Sequence, residues 1–261
     1  MTVVPAVARR VLSIAGSDPS GGAGVQADLR TFAALGVDAG AVIAVLTAQN
    51  AREVLGVLAV PADFITLQLD AVFAEGDIAA VKVGMLGDAP AVQAVAAALR
   101  VHRPRSVVVD PVLRSTSGTV LLAPPAVEVL RRELLSLATV VTPNAAEAGA
   151  LLERATPATV REMREAADAL CALGVSWVLV TGGHVAAGAD CVDVLAGTSG
   201  IHELRTPRIP GADRHGTGCV LSSAIAAFLA RGWDVPCACA AAQGFVAAML
   251  AAASTVEGVD A

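Results

Sequence analysis

The sequence predicts an α/β fold with a central, mostly parallel sheet between two helical layers and an antiparallel hairpin at the sheet edge. Short apolar runs alternate with helical periodicity along most of the 261 residues, the pattern of parallel strands joined by crossover helices. Later in the chain, two short apolar runs flank the turn Gly197-Thr198-Ser199-Gly200, which predicts the hairpin. No repeat or linker interrupts the pattern, so we expect a single domain over residues 1–261.

The predicted strands are apolar runs bounded by turn residues. In chain order they are Val11–Ala15, Ala41–Leu46, Ile78–Val83, Ser106–Asp110, Thr139–Thr142 and Trp177–Thr181, then Val192–Leu195 and Ile201–Leu204 for the hairpin. The predicted helices carry apolar residues at i, i+4, i+7 and i+8 or open on proline. They cover Val25–Ala33 and Ile65–Phe73, a helix from Pro124-Pro125, one between Pro157 and Leu173, and two last ones at Gly216–Ala230 and Val235–Ala253.

Composition excludes several classes of protein. Apolar residues make up 55% of the chain and charged residues 16%, which is too apolar for a disordered protein. The net charge is −6 and there is no long basic run, so we expect no binding to nucleic acid or to anionic membranes. The five cysteines lack CxxC spacing, which favours a reducing cytoplasm over a disulfide framework or a zinc site. The uncharged stretch Val235–Val256 is long enough to span a membrane, but its alanines and polar interruptions favour a buried amphipathic helix.

A glycine-rich loop, Gly16–Gly24, joins the first predicted strand to the first helix. Glycines let the backbone approach a ligand closely, and the following helix offers free N–H groups. The loop matches neither a Walker A motif nor a dinucleotide fingerprint, so a ligand-binding loop and a tight structural turn both stay open. Asp28 lies one turn into the helix, where it faces either the ligand or the surface.

A second glycine motif, His215-Gly216-Thr217-Gly218-Cys219, precedes an apolar helical stripe. Such a turn directs several backbone N–H groups at one point, which forms an anion hole. Cys219 falls in the first helical turn, where we expect the helix dipole to favour the thiolate. The alternative is a plain loop that ends in a small buried cysteine.

Polar side chains follow several predicted strands at their carboxyl ends, where open α/β sheets bind ligands. Asp110 ends one buried strand, and Asn144 and Glu147 follow the next. Asn144 and Glu147 form either a capping box or, with Asp110, the oxygen ligands of Mg²⁺. Gln49 follows the second strand and can both donate and accept hydrogen bonds at a heteroaromatic edge. Thr181-Gly182-Gly183 is a further turn that would let phosphate approach.

These motifs, in this order, resemble the hydroxymethylpyrimidine/phosphomethylpyrimidine kinases of thiamine biosynthesis, which belong to the ribokinase-like superfamily. The specific signature is Ile14–Asp28, supported by Thr47–Asn50, Gly84–Leu86, Val109–Val112, Thr142–Glu147 and His215–Cys219. The resemblance implies a ribokinase-like three-layer αβα fold and a cytoplasmic homodimer. It implies ATP- and Mg²⁺-dependent phosphorylation of the pyrimidine's 5-hydroxymethyl group, then of the monophosphate to the diphosphate.

The resemblance also implies a role for each site residue. Cys219 would accept the hydroxyl proton, while Asp110 and Glu147 would organise Mg²⁺. The backbone of Gly216, Thr217, Gly218 and Cys219 would hold the transferring phosphoryl group. The pyrimidine pocket would consist of Gly16, Asp28, Thr47, Gln49, Met85 and Val112. The ATP phosphates would meet Asn144, Thr181, Gly183, His215, Thr217 and Gly218.

Several positively charged residues of the family are missing. Thr181 and Ala212 occupy positions at which the family carries lysine. In the segment after Asp110, Arg114 stands where the family carries a third lysine. The second phosphorylation, whose substrate already carries phosphate, is therefore the less supported step. Pyridoxal kinase and a catalytically weak pyrimidine- or nucleotide-binding protein are the alternative functions. Lys82, the single lysine, either faces the pocket or has a structural role.

Overall fold

This computed structural model describes residues 10–50, 52–115, 118–183, 185, 188–209 and 216–257. The strands are β1 (Arg10–Ser17), β2 (Ala39–Gln49), β3 (Val54–Ala59), β4 (Ile78–Val83), β5 (Ser106–Val109), β6 (Val140–Val141), β7 (Trp177–Val180), β8 (Asp190–Gly197) and β9 (Gly200–Pro207). The α-helices are α1 (Gly24–Ala34), α2 (Ala62–Ala74), α3 (Ala89–His102), α4 (Pro124–Val129), α5 (Ala145–Leu151), α6 (Val160–Cys171), α7 (Thr217–Ala230) and α8 (Val235–Glu257). A π-helical segment, Leu130–Leu134, and a 3-10 turn, Leu135–Leu137, follow α4.

All nine strands form one sheet in the order β3-β2-β1-β4-β5-β6-β7-β8-β9. The six strands from β2 to β7 in that order are parallel. β3 pairs antiparallel with β2 at one edge, and the β8–β9 hairpin pairs antiparallel with β7 at the other. The mostly parallel sheet and the edge hairpin are therefore confirmed.

The sheet is covered on both faces. One apolar core joins it to helices α2 to α6, and a second core joins the opposite face to α1, α7 and α8. Along β4, Val81 and Val83 belong to the first core and Ala80 to the second. Because side chains alternate along a strand, Lys82 of β4 points into the second layer. Ser13 of β1 points the same way, since Leu12 and Ile14 belong to the first core and Val11 to the second.

The sequence patterns did not predict β3 and α3. β3 contains Gly56 and is exposed along almost its whole length, so it lacks the buried apolar run that marks the other strands. α3 consists mostly of alanine and valine, which gives little contrast between its two faces. It begins where the Asp88 side chain accepts a hydrogen bond from the Ala91 amide, an N-cap that defines the helix start.

One segment in the described part of the chain, Val235–Ser254 of α8, is long and apolar enough to cross a membrane by length and composition. In the structure this helix packs against α7 and β9 through Ala238, Cys239 and Ala242, which are fully buried. Its outer residues, such as Cys237, are exposed. The packing matches the buried amphipathic helix that the sequence predicts.

Candidate active site

The predicted site residues lie at the carboxyl ends of the parallel strands, which meet at one edge of the sheet. In strand order from β2 to β7 they are Thr47 and Gln49, Gly16, Met85, Asp110 and Val112, Asn144, and Thr181. α7 begins at Thr217 and packs on β1, β4 and β5. The sheet and α7 therefore collect motifs that lie far apart in the sequence.

Four of the predicted pyrimidine-pocket residues lie together. A Cβ on Gly16 would lie 3.4 Å from Met85 Sδ, so the backbone of β1 and the segment after β4 are in contact. Thr47 Oγ1 donates to the Ser17 carbonyl oxygen at 2.9 Å and lies 3.3 Å from Gln49 Oε1. These contacts place the end of β2 beside the end of β1.

The side chain of Asp28, the fifth predicted pocket residue, is hydrogen-bonded by other side chains of the protein. Its side chain is fully buried, and Lys82 Nζ lies 2.9 Å from each of its carboxylate oxygens. Ser13 Oγ donates to Oδ2 at 2.6 Å, and Ser223 Oγ donates to Oδ1 at 2.8 Å. We name these four residues the Asp28 cluster. A surface role for Asp28 is therefore wrong, because the side chain is buried and the protein itself binds both oxygens. Its contact with the pyrimidine stays a prediction.

Lys82 places a permanent positive charge behind the site. Burial alone lowers the pKa of its ammonium group, but Asp28, Cys219 and Asp110 together raise that pKa above its ordinary value. Lys82 is therefore charged at neutral pH although its side chain is fully buried. The structure gives it the structural role, as the ion-pair partner of Asp28.

Cys219 is a thiol in this environment. Burial raises the pKa of the Cys219 thiol to about 12. Asp110 and Asp28 also raise that pKa, whereas Lys82 and the backbone N–H of Gly24 lower it. The expected preference for the thiolate at the start of α7 is therefore wrong. Removal from water and two nearby carboxylates outweigh the helix N-terminus.

The two glycine loops contact each other. Gly216 caps α7 with φ +87, in the left-handed region, and a Cβ there would overlap the carbonyl oxygen of Gly22. Only glycine meets both conditions. A Cβ on Gly218 would lie 3.9 Å from Asp110 Oδ2. The first turn of α7 thus lies between the first glycine loop and Asp110.

Asp110 and Glu147, which we name the Asp110 pair, are both buried. Ser222 Oγ donates to Asp110 Oδ2 at 3.0 Å. Burial raises the pKa of Asp110, and Asp28 raises it further, against the opposing effects of Lys82 and Ser222. Burial and Asp110 also raise the pKa of Glu147, to about 8. The protein therefore leaves the charge of these two carboxylates incompletely balanced, which is the condition under which an added cation would be stabilised.

Asn144 and Glu147 form the predicted capping box at the start of α5. The Asn144 side chain accepts from the Glu147 amide, and Glu147 Oε2 accepts from the Asn144 amide, both at 2.9 Å. In the part of the chain that the structure describes, no three His, Cys, Asp or Glu side chains are grouped to hold a metal ion. Mg²⁺ commonly binds through one or two carboxylates together with water and substrate phosphates, and the Asp110 pair fits that mode.

The Thr181–Gly183 turn follows β7 directly beside the capping box. Thr181 forms a bridge with Asn144, and the Gly182 amide donates to buried Asp193 at 2.9 Å. Arg208 donates through Nη1 to the Gly183 carbonyl at 2.6 Å, and through Nη2 to the carbonyl of Val185 at 2.9 Å. The Arg208 guanidinium therefore lies beside the turn in which Thr181 replaces the lysine that the family carries.

Sequence patterns missed several residues that organise the site. Ser222 and Ser223 are adjacent polar residues inside the apolar helix α7, and Asp193 lies between valines of β8. A buried polar residue in an apolar run is the signal that would have found them, because it needs a partner. His215, predicted to meet phosphate, and Ala212 lie outside the described residues.

Comparison with known proteins agrees with this geometry. A family model described as phosphomethylpyrimidine kinase matches residues 18–260. The chain belongs to this family. The hydroxymethylpyrimidine/phosphomethylpyrimidine kinase of Rhizobium meliloti (strain 1021) is 46% identical over 246 residues, which are 94% of this chain and 92% of the relative.

Two further relatives extend the comparison. The thiamine biosynthesis bifunctional protein ThiED of Geobacter sulfurreducens is 46% identical over 92% of this chain and 49% of its own length. The crystal structure of an ADP complex of Bacillus subtilis pyridoxal kinase superposes with a TM-score of 0.84, at 35% identity over 91% of this chain and 90% of that one. The expected ribokinase-like αβα fold and kinase family are thus confirmed.

Proposed function

We propose that this protein uses ATP to phosphorylate the 5-hydroxymethyl group of 4-amino-5-hydroxymethyl-2-methylpyrimidine, and then the monophosphate, in thiamine biosynthesis. The observation that carries the proposal is the meeting of the Gly216–Cys219 turn with Asp110 and the first glycine loop. In the first step the substrate oxygen forms a bond to the γ-phosphorus, the bond from that phosphorus to the β-phosphate oxygen breaks, and ADP leaves. Cys219, a thiol at rest, first loses its own proton to solvent, and the resulting thiolate then takes the hydroxyl proton.

The pyrimidine would lie among Gly16, Thr47, Gln49 and Met85, with Val112 completing the pocket. Gln49 would pair with the ring nitrogen and the exocyclic amine, since an amide both donates and accepts. Asp28 supports this pocket indirectly, through the Asp28 cluster. The main work of the protein is to align the hydroxyl with the phosphate and to stabilise charge, because phosphoryl transfer needs little covalent help.

The ATP phosphates would bind at the N–H groups of Gly216, Thr217 and Gly218 and along the turn at Thr181 and Gly183. His215 and Asn144 complete the proposed set. The Asp110 pair would hold Mg²⁺, which neutralises phosphate charge when it is bound. The raised pKa values of Asp110 and Glu147 support this assignment, because a cation relieves the repulsion that raises them.

The proposal includes a single kinase domain over residues 1–261 that works in the cytoplasm as a homodimer, without nucleic acid or membrane. A second copy is supported by an apolar patch at the β3 edge of the sheet. Leu55 is 70% exposed and Leu58 64%, with Leu46 and Val57 beside them. An apolar edge strand of this kind is normally covered by a partner.

Mass-resolved product analysis tests the proposal, with ATP, Mg²⁺ and one acceptor at a time: hydroxymethylpyrimidine, its monophosphate or pyridoxal. We expect the monophosphate from the first acceptor and the diphosphate from the second. Monophosphate without diphosphate would limit the enzyme to one step. Faster formation of pyridoxal phosphate would favour the second candidate, which the likeness to the Bacillus subtilis enzyme supports. No product from any acceptor would overturn both kinase functions and leave a binding protein.

In the same assay the variant Cys219→Ser tests whether Cys219 accepts the hydroxyl proton. We expect turnover to fall by about 100-fold or more while the KM for the pyrimidine changes less, since general-base catalysis contributes about that much. Because burial raises the pKa of Cys219 to about 12, its thiolate fraction and hence wild-type turnover should rise with pH. Turnover of the serine variant near the wild-type value would remove Cys219 from this role.

A further inference from the structure

The loop between β1 and α1 is built around one buried carboxylate, that of Asp18, which is only 3% exposed. Asp18 Oδ1 accepts from the Ser20 amide at 2.9 Å and from Ser20 Oγ at 2.7 Å. Oδ2 accepts from the Ala23 amide at 2.8 Å. Ala23 is the N-cap of α1 and its own side chain supplies no cap, so Asp18 takes over that function from within the loop.

The backbone of Asp18 is fixed as well. Its amide donates to Gln26 Oε1 at 2.9 Å, and Gln26 Nε2 donates to Ser17 Oγ at 2.8 Å. The Asp18 carbonyl accepts from the Gly21 amide at 2.9 Å. Both ends of the loop are thereby tied to one residue, and little freedom remains for the glycines between them.

The far side of the loop contacts the proposed reaction centre. The Gly22 carbonyl presses on the Cα of Gly216, so that no side chain fits there. The Gly24 amide is near enough to the Cys219 sulfur to lower the pKa of the thiol. At the same time the Cα of Gly24 packs on the Gly16 carbonyl, again without room for a Cβ. One loop therefore touches the proposed pyrimidine pocket, the anion-binding turn and the proton acceptor.

We propose that Asp18 is a positioning residue for phosphoryl transfer: its carboxylate holds loop 18–24 in the shape that presses Gly22 against Gly216 and directs the Gly24 amide at Cys219. Asp18 acts through these two glycines and does not touch the substrate. The assignment rests on the proposed kinase function. A carboxylate is needed, since Oδ1 and Oδ2 both accept hydrogen bonds and an amide would turn one acceptor into a donor facing the Ala23 N–H.

Asp18→Asn tests the proposal, with Asp88→Asn as the matched control. Asp88 accepts a backbone amide at the start of α3, and asparagine caps a helix as well as aspartate does. We expect kcat of Asp18→Asn to fall by about 10- to 100-fold, because small misalignments are that costly, while KM changes little. The control should keep the wild-type kcat. An Asp18→Asn kcat equal to that of the control would overturn the proposal.

Alkylation of the cysteines provides a readout that does not depend on kinase activity. We expect iodoacetamide, with the modified sites mapped by mass spectrometry, to modify Cys219 faster in Asp18→Asn than in the wild type. The alkylation rate of Cys239, which is buried in the α7–α8 core, should stay unchanged. Equal acceleration at both cysteines would show general loosening and overturn the positioning role. If the wild type phosphorylates no acceptor but Cys219 alone accelerates, the proposed function fails and the structural coupling stands.

Ser20→Ala is the second variant, for the case that Asp18→Asn does not fold. It removes only the hydroxyl that donates to Asp18 Oδ1. We expect smaller changes in the same direction, both in kcat and in Cys219 alkylation. Wild-type behaviour in both measurements would overturn the proposal.

Discussion

The Asp28 cluster and the Asp110 pair are two buried acidic regions that both contact helix α7, and they differ in which groups balance their negative charge. In the Asp28 cluster one carboxylate has an ammonium group and two hydroxyls as partners. In the Asp110 pair two carboxylates share a region in which Ser222 is the side chain seen to donate, and the pKa of each is raised. In the Asp28 cluster the negative charge is paired within the protein, whereas the Asp110 pair favours an added cation or a proton. We call the first the complete region and the second the incomplete region.

Adjacent residues of α7 make this division. Ser222 donates to Asp110 and Ser223 to Asp28, because successive helical residues point in directions about 100° apart. The complete region fixes the position of α7, and the incomplete one lies where phosphates would enter. A buried charge near a site can therefore either stabilise the fold or bind a ligand, and the groups that pair with it determine which.

The largest effect on stability should come from removing the ion pair between Lys82 and Asp28 in the complete region. Lys82→Met leaves Asp28 buried without its cation, and we expect a loss of about 3–5 kcal/mol in the free energy of unfolding, measured with urea. Lys82→Met/Asp28→Asn removes both charges and should recover much of that loss. Arg10→Met, which breaks a partly exposed pair with Glu75, should cost no more than about 1 kcal/mol. A Lys82→Met loss no larger than that of Arg10→Met would contradict the comparison.

An intermediate effect should follow from titrating the incomplete region. The folded-state pKa of Glu147, raised to about 8, exceeds the ordinary value that it has in the unfolded chain. The folded state then binds this proton more tightly, so the contribution of Glu147 to stability is fully present below its ordinary pKa and is lost as the pH rises from there towards about 8. We expect Glu147→Gln to reduce this fall by up to about 1.4 kcal/mol per pH unit in urea titrations without Mg²⁺.

Glu162→Gln is the matched control, since Glu162 occupies the same position after the N-cap of α6 but is only half-buried, whereas Glu147 is buried. It should leave the pH dependence of stability unchanged. Adding Mg²⁺ near neutral pH should stabilise the wild type more than Glu147→Gln. Equal stabilisation of the two would show that the Asp110 pair does not hold the cation.

The smallest effect concerns the capping box that borders the incomplete region. Asn144→Ala removes the acceptor for the Glu147 amide, and we expect it to cost about 1 kcal/mol in urea unfolding. Thr159→Ala removes the equivalent N-cap of α6 and should cost a similar amount. Asn144→Ala alone should also weaken ATP binding, measured by calorimetry. Equal ATP affinity in both variants would limit Asn144 to capping.

Much of the fold could be predicted because the central strands are buried on both faces. β4 was located residue for residue, since its apolar run is bounded by polar and glycine residues. β3 could not be predicted in this way, because its existence depends on pairing with β2 and its side chains stay exposed. Edge strands depend on tertiary contacts more than on their own pattern.

The positions of the site residues could be predicted, but their partners could not. Asp110, Asn144 and Cys219 stand out because they follow buried strands or begin a helix, at the positions where α/β sheets bind ligands. Asp28 was singled out from the sequence, but its buried partner Lys82 could not be named, since Lys82 lies 54 residues away. That pairing follows from β1 and β4 being neighbours, which local sequence does not encode.

The complete burial of Lys82 turns the single lysine of this chain into a reporter of core opening. Amine-directed acylation can reach this side chain only when the layer between α1, α7 and the sheet separates. The rate of its modification, followed by mass spectrometry on the peptide that contains Lys82, would therefore measure the population of that open state. A protein with a surface full of lysines would hide this signal.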